Sequence, residues 1–201
     1  MTQKQKTHHL AVAALLAAVA AVLQFVEFSI PIMPAFVKLD VSDLPALLGT
    51  FSLGPVYGIA IQLVKNLLHL PFGSSACVGE LSNFLLGATF AFIAGIIYKK
   101  HKNRSGSLWG FVAGAAAMAL ISLPLNYFIV YPAYVVLYGL PLEGIVGMYE
   151  AILGTVAHVP TGNALFNCLL VFNVPFTLCK GLLDVALCFL IYKPLSPLLH
   201  K

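Results

Sequence analysis

Between Gly79 and Tyr98 the chain reads GELSNFLLGATFAFIAGIIY, 20 residues with one charged side chain, Glu80. A helix of this length is about 30 Å long, which matches the hydrocarbon thickness of a bilayer. The basic run KKHKNR follows directly, from Lys99 to Arg104. Positive charge beside an apolar segment is typical of its cytoplasmic end. The stretch therefore predicts a helix that crosses a membrane.

The composition of the whole chain agrees with this interpretation. Of the 201 residues, 60% are hydrophobic and 9% are charged, and the mean hydropathy is +0.95. A typical soluble domain is about 25% charged, and a soluble fold of this size could not hide so much apolar surface. This excludes a cytosolic enzyme, a nucleic-acid-binding module and a disordered chain. The apolar runs lack the alternation of barrel strands, so we predict an all-α integral membrane protein.

Six transmembrane helices are predicted within a single domain, residues 1–201, at about residues 8–28, 43–53, 55–70, 79–98, 108–131 and 174–192. The second is too short to cross the bilayer alone, so we expect it to be buried in protein. The first is too long for the apolar core of a signal peptide and lacks a clear cleavage site, so it is interpreted as a retained helix. A short interfacial helix is expected around Leu142–Leu153 in the segment 132–172.

The basic residues predict the orientation of these helices. They cluster near the N-terminus at Lys4 and Lys6, in the run after the fourth helix, and near the C-terminus at Lys193 and Lys201. Cytoplasmic loops carry the excess of Lys and Arg, and all three clusters share one side only with six helices and both termini in the cytoplasm. Six of the seven acidic residues then fall on the outer side, which leaves Asp184 alone deep in the sixth helix.

Polar side chains recur on four of the predicted helices. On the third helix, Gln62, Lys65, Asn66 and His69 stand at i, i+3, i+4 and i+7, which is one helical face. The others are Glu80 and Asn83 on the fourth helix, Asn126 on the fifth, and Thr177 and Lys180 on the sixth. Polar groups inside a membrane are costly and usually mark function. We therefore predict a polar cavity that opens on the outer side.

Structural roles stay open for several of these side chains. Lys65 and Glu80 are candidates for an ion pair between helices three and four. Lys180 and Asp184 are four residues apart and can neutralise each other on one helix face. Asn126 can instead join two helices through a hydrogen bond.

The aromatic and imidazole groups near the outer boundary have a simpler interpretation. His69 is near a helix end and is expected at the interface rather than in a site. An aromatic belt is the default explanation for the tyrosines that cluster there, namely Tyr127, Tyr131, Tyr134 and Tyr138.

The first helix is rich in alanine. Its small-xxx-small repeats include Ala13, Ala14, Ala17 and Ala18, and such repeats let another helix approach closely. Two interpretations remain open, packing inside this chain or a docking surface for a second membrane protein.

The sequence contains no pattern that indicates catalysis or metal binding. Metalloprotease, serine-hydrolase and phosphate-loop motifs are absent. The four cysteines show no paired spacing and are interpreted as free thiols. We therefore predict no catalytic residue, no metal and no cofactor, and any ATPase that drives the protein is expected on another chain.

Five segments resemble a known family. They are KLDVSDLPALL at 38–48, VKNLLH at 64–69, GELSNF at 79–84, PLNYF at 124–128 and PFTLCKG at 175–181. In combination they resemble the riboflavin-binding S components of energy-coupling factor (ECF) transporters, over about residues 10–197. Thr177 departs from the family, which often has another polar residue there.

The resemblance implies a six-helix subunit of the bacterial cell membrane, with the S-component fold and an outward-facing vitamin site under the loop between helices one and two. Riboflavin is then a transported ligand and not a cofactor. The implied partners are a transmembrane coupling subunit and two ABC-type ATPases. The implied substrate-binding residues are Leu39, Asp40, Lys65, Glu80, Leu81, Asn83, Asn126, Thr177 and Lys180.

Three other functions remain as alternatives. The chain could be an S component for another vitamin, such as thiamine or a flavin-like compound. It could be a membrane-embedded enzyme with Glu80, His69 and Lys65 as acid–base groups, although no nucleophile or metal set accompanies them. It could also be a structural subunit, which would bind no small molecule.

Overall fold

The computed structural model describes residues 2–34, 36–73, 77–139, 141–153 and 163–199. The chain is mostly helical, as predicted. Nine α-helices lie in the described residues: α1 (Gln3–Gln24), α2 (Asp43–Leu53), α3 (Pro55–His69), α4 (Val78–Lys100), α5 (Arg104–Leu125), α6 (Tyr131–Tyr138), α7 (Leu142–Leu153), α8 (Ala164–Cys168) and α9 (Val174–Leu199). Two π-helical turns, π1 (Asn126–Val130) and π2 (Leu169–Asn173), and two antiparallel strands, β1 (Phe28–Ser29) and β2 (Lys38–Leu39), complete them.

Among the described residues, four stretches are long and apolar enough to cross a membrane: Gln3–Gln24, Val78–Lys100, Ser105–Leu137 and Ala164–Ile191. The last two are longer than predicted. The fifth helix continues through π1 into α6, and the sixth begins at α8 and continues through π2 into α9. The predicted boundaries stood next to Pro132 and Pro175, but both helices continue through these prolines. A wider π turn precedes each proline, and proline is tolerated in the first turn of the helical segment that follows because its missing N–H is not needed there.

The shorter helices agree closely with the sequence prediction. Helix α2 has the predicted bounds, and α7 occupies Leu142–Leu153 as expected. Gly54 separates α2 from α3 with a φ of +113° and a ψ of 165°, a backbone conformation that is essentially restricted to glycine. This residue lets the two short helices pack against each other.

The helices form one bundle in which α4 packs on α5 and α3, and α9 packs on α5 and α2. Helix α1 covers α2 and α3, where Ala13 and Ala17 are buried against Ala46 and Ile61. Of the two interpretations of the alanine-rich helix, packing inside this chain therefore applies to Ala13 and Ala17. Ala14 and Ala18 lie beside this buried face of α1 and are exposed.

Candidate functional site

A cavity lies between the loop that joins α1 to α2 and the facing ends of five helical segments. Its walls come from the loop at 36–40, from the end of α1, from α3 and α4, from the stretch of α5, π1 and α6, and from the stretch of π2 and α9. Six of the nine predicted site residues line it, namely Asp40, Glu80, Asn83, Asn126, Thr177 and Lys180. The convergence of side chains that are up to 140 residues apart follows from the helix periodicity, which places one face of each helix toward the bundle axis.

The other three predicted residues do not line the cavity. Leu39 pairs with Phe28 in the β1–β2 hairpin and is half-buried. Leu81 is 45% exposed on the outer side of α4. Lys65 is 0% exposed and lies in an ion pair beside the cavity. From these positions Leu39, Leu81 and Lys65 cannot contact a molecule in the cavity directly, whereas the six lining residues can.

Lys180 joins the loop to two helices. Its ammonium group donates to Asp40 Oδ2 at 2.8 Å and to Asn83 Oδ1 at 3.4 Å, and Asp43 Oδ2 lies at 3.5 Å. The Asp40 carboxylate also accepts a hydrogen bond from the Ser42 backbone N–H at 2.9 Å. These contacts attach the loop to α9 at the base of the cavity. The pairing of Lys180 with Asp184 on one helix face, an open alternative from the sequence, is not formed.

Burial would raise the pKa of the Asp40 carboxyl, but the ammonium groups of Lys180 and Lys65 outweigh it. The pKa of Asp40 is therefore below its ordinary value. Asp40 is ionised at neutral pH, and the ion pair with Lys180 is present under physiological conditions.

Lys65 has a different partner from the one considered from the sequence. Its ammonium group donates to Asp43 Oδ1 and to Ser42 Oγ, both at 2.6 Å, and Glu80 is not its partner. Gln62 Nε2 donates to the same Asp43 oxygen at 2.8 Å. Gly87 on α4 makes room for Gln62, because a Cβ there would lie 2.5 Å from the Gln62 amide carbon. The face of α3 thus holds the start of α2 in place.

His69 and Glu80 form a pair at the edge of the cavity. His69 Nδ1 lies 3.0 Å from Glu80 Oε1, and both side chains are buried. The expected interfacial position of His69 is therefore wrong, because the end of α3 is covered by α4 and by Phe25, whose ring centroid is 5.0 Å from the imidazole. Glu27 and Lys38 form a further pair at the rim. Each carboxylate that lines the cavity consequently has a basic partner.

Asn126 and Thr177 on the cavity wall have no such partners among the described residues. Asn126 is 5% exposed, and its amide makes no side-chain hydrogen bond to any described residue, so the proposed bond between helices is not present. Thr177 likewise makes no side-chain hydrogen bond within the described ranges. Both groups remain available to a molecule in the cavity.

An aromatic wall faces the ion pairs. Phe36 from the loop packs on Tyr131 and Tyr134, with ring centroids 6.2 Å and 5.6 Å apart. Tyr131 also forms a hydrogen bond with Tyr149 of α7, and Asn173 Nδ2 donates to Tyr131 Oη at 3.2 Å. Tyr131 and Tyr134 are buried and line the cavity, so their interpretation as an interfacial belt is wrong.

Phe36, Tyr131, Tyr134 and Asn173 are among the cavity residues that sequence reasoning missed. Asn173 had a detectable signal, because Asn173, Thr177, Lys180 and Asp184 stand at i, i+4, i+7 and i+11, on one helical face. The predicted helix began at Val174 and so omitted Asn173. The tyrosines have no such signal, since a belt and a buried wall use the same residues.

The described residues include no group of three or more His, Cys, Asp or Glu side chains that could hold a metal ion. The four cysteines are free. The site is thus a cavity with paired charges at its base, amide and hydroxyl groups on its walls, and an aromatic side. Such a site suits a flat, largely neutral molecule with polar edges.

Comparisons with known proteins are consistent across sequence and structure. The family model for the ECF transporter substrate-specific component matches residues 8–192. The riboflavin transporter RibU of Staphylococcus aureus is 32% identical over 197 residues, which cover 98% of this chain and 95% of that protein. The riboflavin transporter FmnP of Bacillus subtilis is 29% identical over 201 residues, which cover 98% and 96%. A solved S component of a bacterial ECF transporter is 33% identical, with a TM-score of 0.73 over 99% of this chain and 100% of that one.

Proposed function

Because the chain belongs to the family of ECF transporter substrate-specific components, we propose that it captures riboflavin from outside the cell and delivers it for uptake. It is a multi-pass protein of the bacterial plasma membrane and a transporter subunit rather than an enzyme. The single observation that carries the proposal is the cavity itself. It offers unpartnered amide and hydroxyl groups at Asn126 and Thr177 opposite an aromatic wall.

The ring system of riboflavin is flat, neutral and heteroaromatic, with carbonyl and N–H groups along one edge. Phe36, Tyr131 and Tyr134 provide rings against which such a system packs. Asn83, Asn126 and Thr177 supply donors and acceptors for the edge, and Lys180 supplies a charged donor. The pairing of Lys180 with Asp40 keeps the local charge balanced when a neutral ligand enters.

The proposed topology has six membrane segments with both termini in the cytoplasm, of which α2 is too short to cross the bilayer alone and is buried in protein. The segments are α1, α2, α3, α4, the continuous stretch from α5 to α6, and the stretch from α8 to α9. The positive charge after α4 supports this orientation, because Lys99 and Lys100 end that helix. The cavity then opens on the outer side, since Glu80 lies in the first turn of the same helix.

Uptake against a gradient needs an energy source. We propose a transmembrane coupling subunit and two ABC-type ATPases as partners, with contact through Ala14 and Ala18. These small residues are exposed on α1, and small side chains allow close helix approach within a membrane.

A titration of the purified subunit in detergent tests the proposed ligand. Riboflavin fluorescence should be quenched saturably at one site per chain, and unlabelled thiamine in excess should not reverse the quenching. Saturable binding of thiamine without riboflavin quenching would assign the site to another vitamin. No binding of either would contradict the function.

A further inference from the structure

Asp184 lies inside the bundle on α9, one turn after Lys180. Its side chain is 0% exposed, and neither carboxylate oxygen has a hydrogen-bond partner within the described part of the chain. It does not line the cavity described above. An ionised carboxylate without a partner is strongly unfavourable in apolar surroundings. Its charge must therefore be balanced by something other than a direct contact.

The charged groups near Asp184 are already paired with one another. They are Asp40 from the loop, Asp43 on α2, Lys65 on α3 and Lys180 on α9. Lys65 is 2.6 Å from Asp43, and Lys180 is 2.8 Å from Asp40. Three carboxyl groups thus share two ammonium groups, which leaves one surplus negative charge.

The remaining surroundings of Asp184 cannot supply a positive charge. Helix α5 packs against α9 with the apolar side chains of Phe111, Ala115 and Met118. On α9 the next buried side chains are Val185 and Cys188, in the same hydrophobic cluster. A metal cation would need several oxygen ligands, and no metal-binding group was found among the residues that the structure describes.

We infer that Asp184 binds a proton, so that Asp40, Asp43, Asp184, Lys65 and Lys180 form a neutral set, the buried charge cluster. A proton needs one carboxylate oxygen, which Asp184 has free. The inference does not depend on which molecule occupies the cavity, because it follows from the charges and contacts of the protein alone.

The position of the proton gives Asp184 a role toward Lys180. The two residues are four apart on one helix, close enough for their side chains to meet. When the Asp40 charge is removed, Lys180 turns to Asp184. The O–H bond of the Asp184 carboxyl then breaks, its electron pair stays on the carboxylate, and the proton is released to water. Asp184 is thus a reserve counter-ion that keeps Lys180 compensated.

Infrared spectra of the ligand-free wild type and of ligand-free Asp184→Asn, both at neutral pH, test the proton directly through their difference. The wild type should show the carbonyl band of a buried protonated carboxyl, with a small shift in D2O, and Asp184→Asn should lose it. Asp184→Asn should keep the wild-type melting temperature, because an amide replaces a neutral carboxyl. The matched variant Asp43→Asn should lower it markedly, because it leaves Lys65 without a counter-ion. A band that persists in Asp184→Asn would overturn the inference.

Two further results decide between a proton and a metal cation, and test the reserve role. Asp40→Asn should lose the same band, and the double variant Asp40→Asn/Asp184→Asn should lower the melting temperature by more than the sum of the single changes. A band retained in Asp40→Asn with additive effects would refute the reserve role. A melting temperature of the wild type that rises in Na⁺ or K⁺ relative to choline, with no such response in Asp184→Asn, would show a bound metal cation instead of a proton.

Discussion

Asn126 and Thr177 share a property at the scale of single residues. Both are buried on the cavity wall, and their side chains make no hydrogen bond to any residue that the structure describes. Because both side chains line the cavity, their amide and hydroxyl groups are accessible to a molecule inside it. We therefore expect the ligand to form the hydrogen bonds that the side chains of Asn126 and Thr177 do not form within the described part of the protein.

Replacing Asn126 by Ala should weaken riboflavin binding by roughly 5- to 150-fold, because a ligand group that loses its partner inside the cavity costs about 1–3 kcal/mol. The fold should be unaffected, since Asn126 makes no side-chain bond in the protein. Fluorescence titration and thermal melting in detergent measure the two effects separately.

The control for this variant is Thr177→Val, which keeps the shape of the side chain and removes one hydroxyl. We expect a smaller loss of affinity than for Asn126→Ala, because an amide offers more hydrogen-bonding groups than a hydroxyl. Near-wild-type affinity in Asn126→Ala would move the ligand to another part of the cavity.

At the scale of elements, the junction between α2 and α3 decides how the site is supported. Helix α2 carries Asp43 in its first turn, and α3 carries Gln62 and Lys65, which bind that carboxylate. The two helices can meet in this way because the chain reverses at Gly54. The backbone there has a positive φ that residues with a Cβ adopt at a cost.

Gly54→Ala should therefore destabilise the protein by about 1–3 kcal/mol, as expected for a residue with a Cβ in this region of φ and ψ. The effect is purely conformational, because a Cβ at Gly54 would meet nothing within 4 Å. Thermal melting in detergent measures it.

Gly147→Ala on α7 is the matched control. A Cβ at Gly147 also meets nothing within 4 Å, but its backbone is helical, so we expect an unchanged or slightly higher melting temperature. Equal melting temperatures for both variants would show that the junction carries no strain.

At the scale of the whole molecule, the buried face of α1 packs within the subunit, and we expect its exposed face to contact the partner subunits. Ala17 is 2% exposed and contacts the bundle, whereas Ala14 and Ala18 lie beside this face and are exposed. A large side chain should consequently have opposite effects on the two faces.

Ala14→Trp or Ala18→Trp should block assembly with the partner subunits and uptake into cells, while riboflavin binding by the isolated subunit stays close to that of the wild type. Ala17→Trp should instead destabilise the subunit itself, because overpacking a buried site forces neighbouring helices apart. Co-purification with the partners, cellular uptake and fluorescence titration distinguish these outcomes.

Leu120→Trp serves as the control, since Leu120 is strongly exposed on α5 and should tolerate a large apolar side chain in lipid. Normal assembly and uptake in Ala14→Trp and Ala18→Trp would show that this face of α1 contacts lipid and not a partner.

The class of the fold and most of the helices could be predicted because apolar run length and basic flanks act locally along the chain. Helix α2 and helix α7 have the predicted bounds. The two longest helical stretches were predicted too short, because Pro132 is an ordinary stop signal for a helix and Pro175 an ordinary start signal. A π turn before each proline is a three-dimensional adjustment that leaves no clear pattern in the sequence.

The sequence by itself determined that this is a helical membrane protein and that polar groups share faces of its helices, since these properties depend on hydrophobicity and a 3.6-residue period. Only the tertiary structure decided which charge meets which. Lys65 pairs with Asp43 and not with Glu80. Lys180 pairs with Asp40, 140 residues away, and not with Asp184, four residues away. The reason is physical: the choice of counter-ion depends on distance and on solvent exclusion in the folded bundle, and neither is a function of separation along the chain.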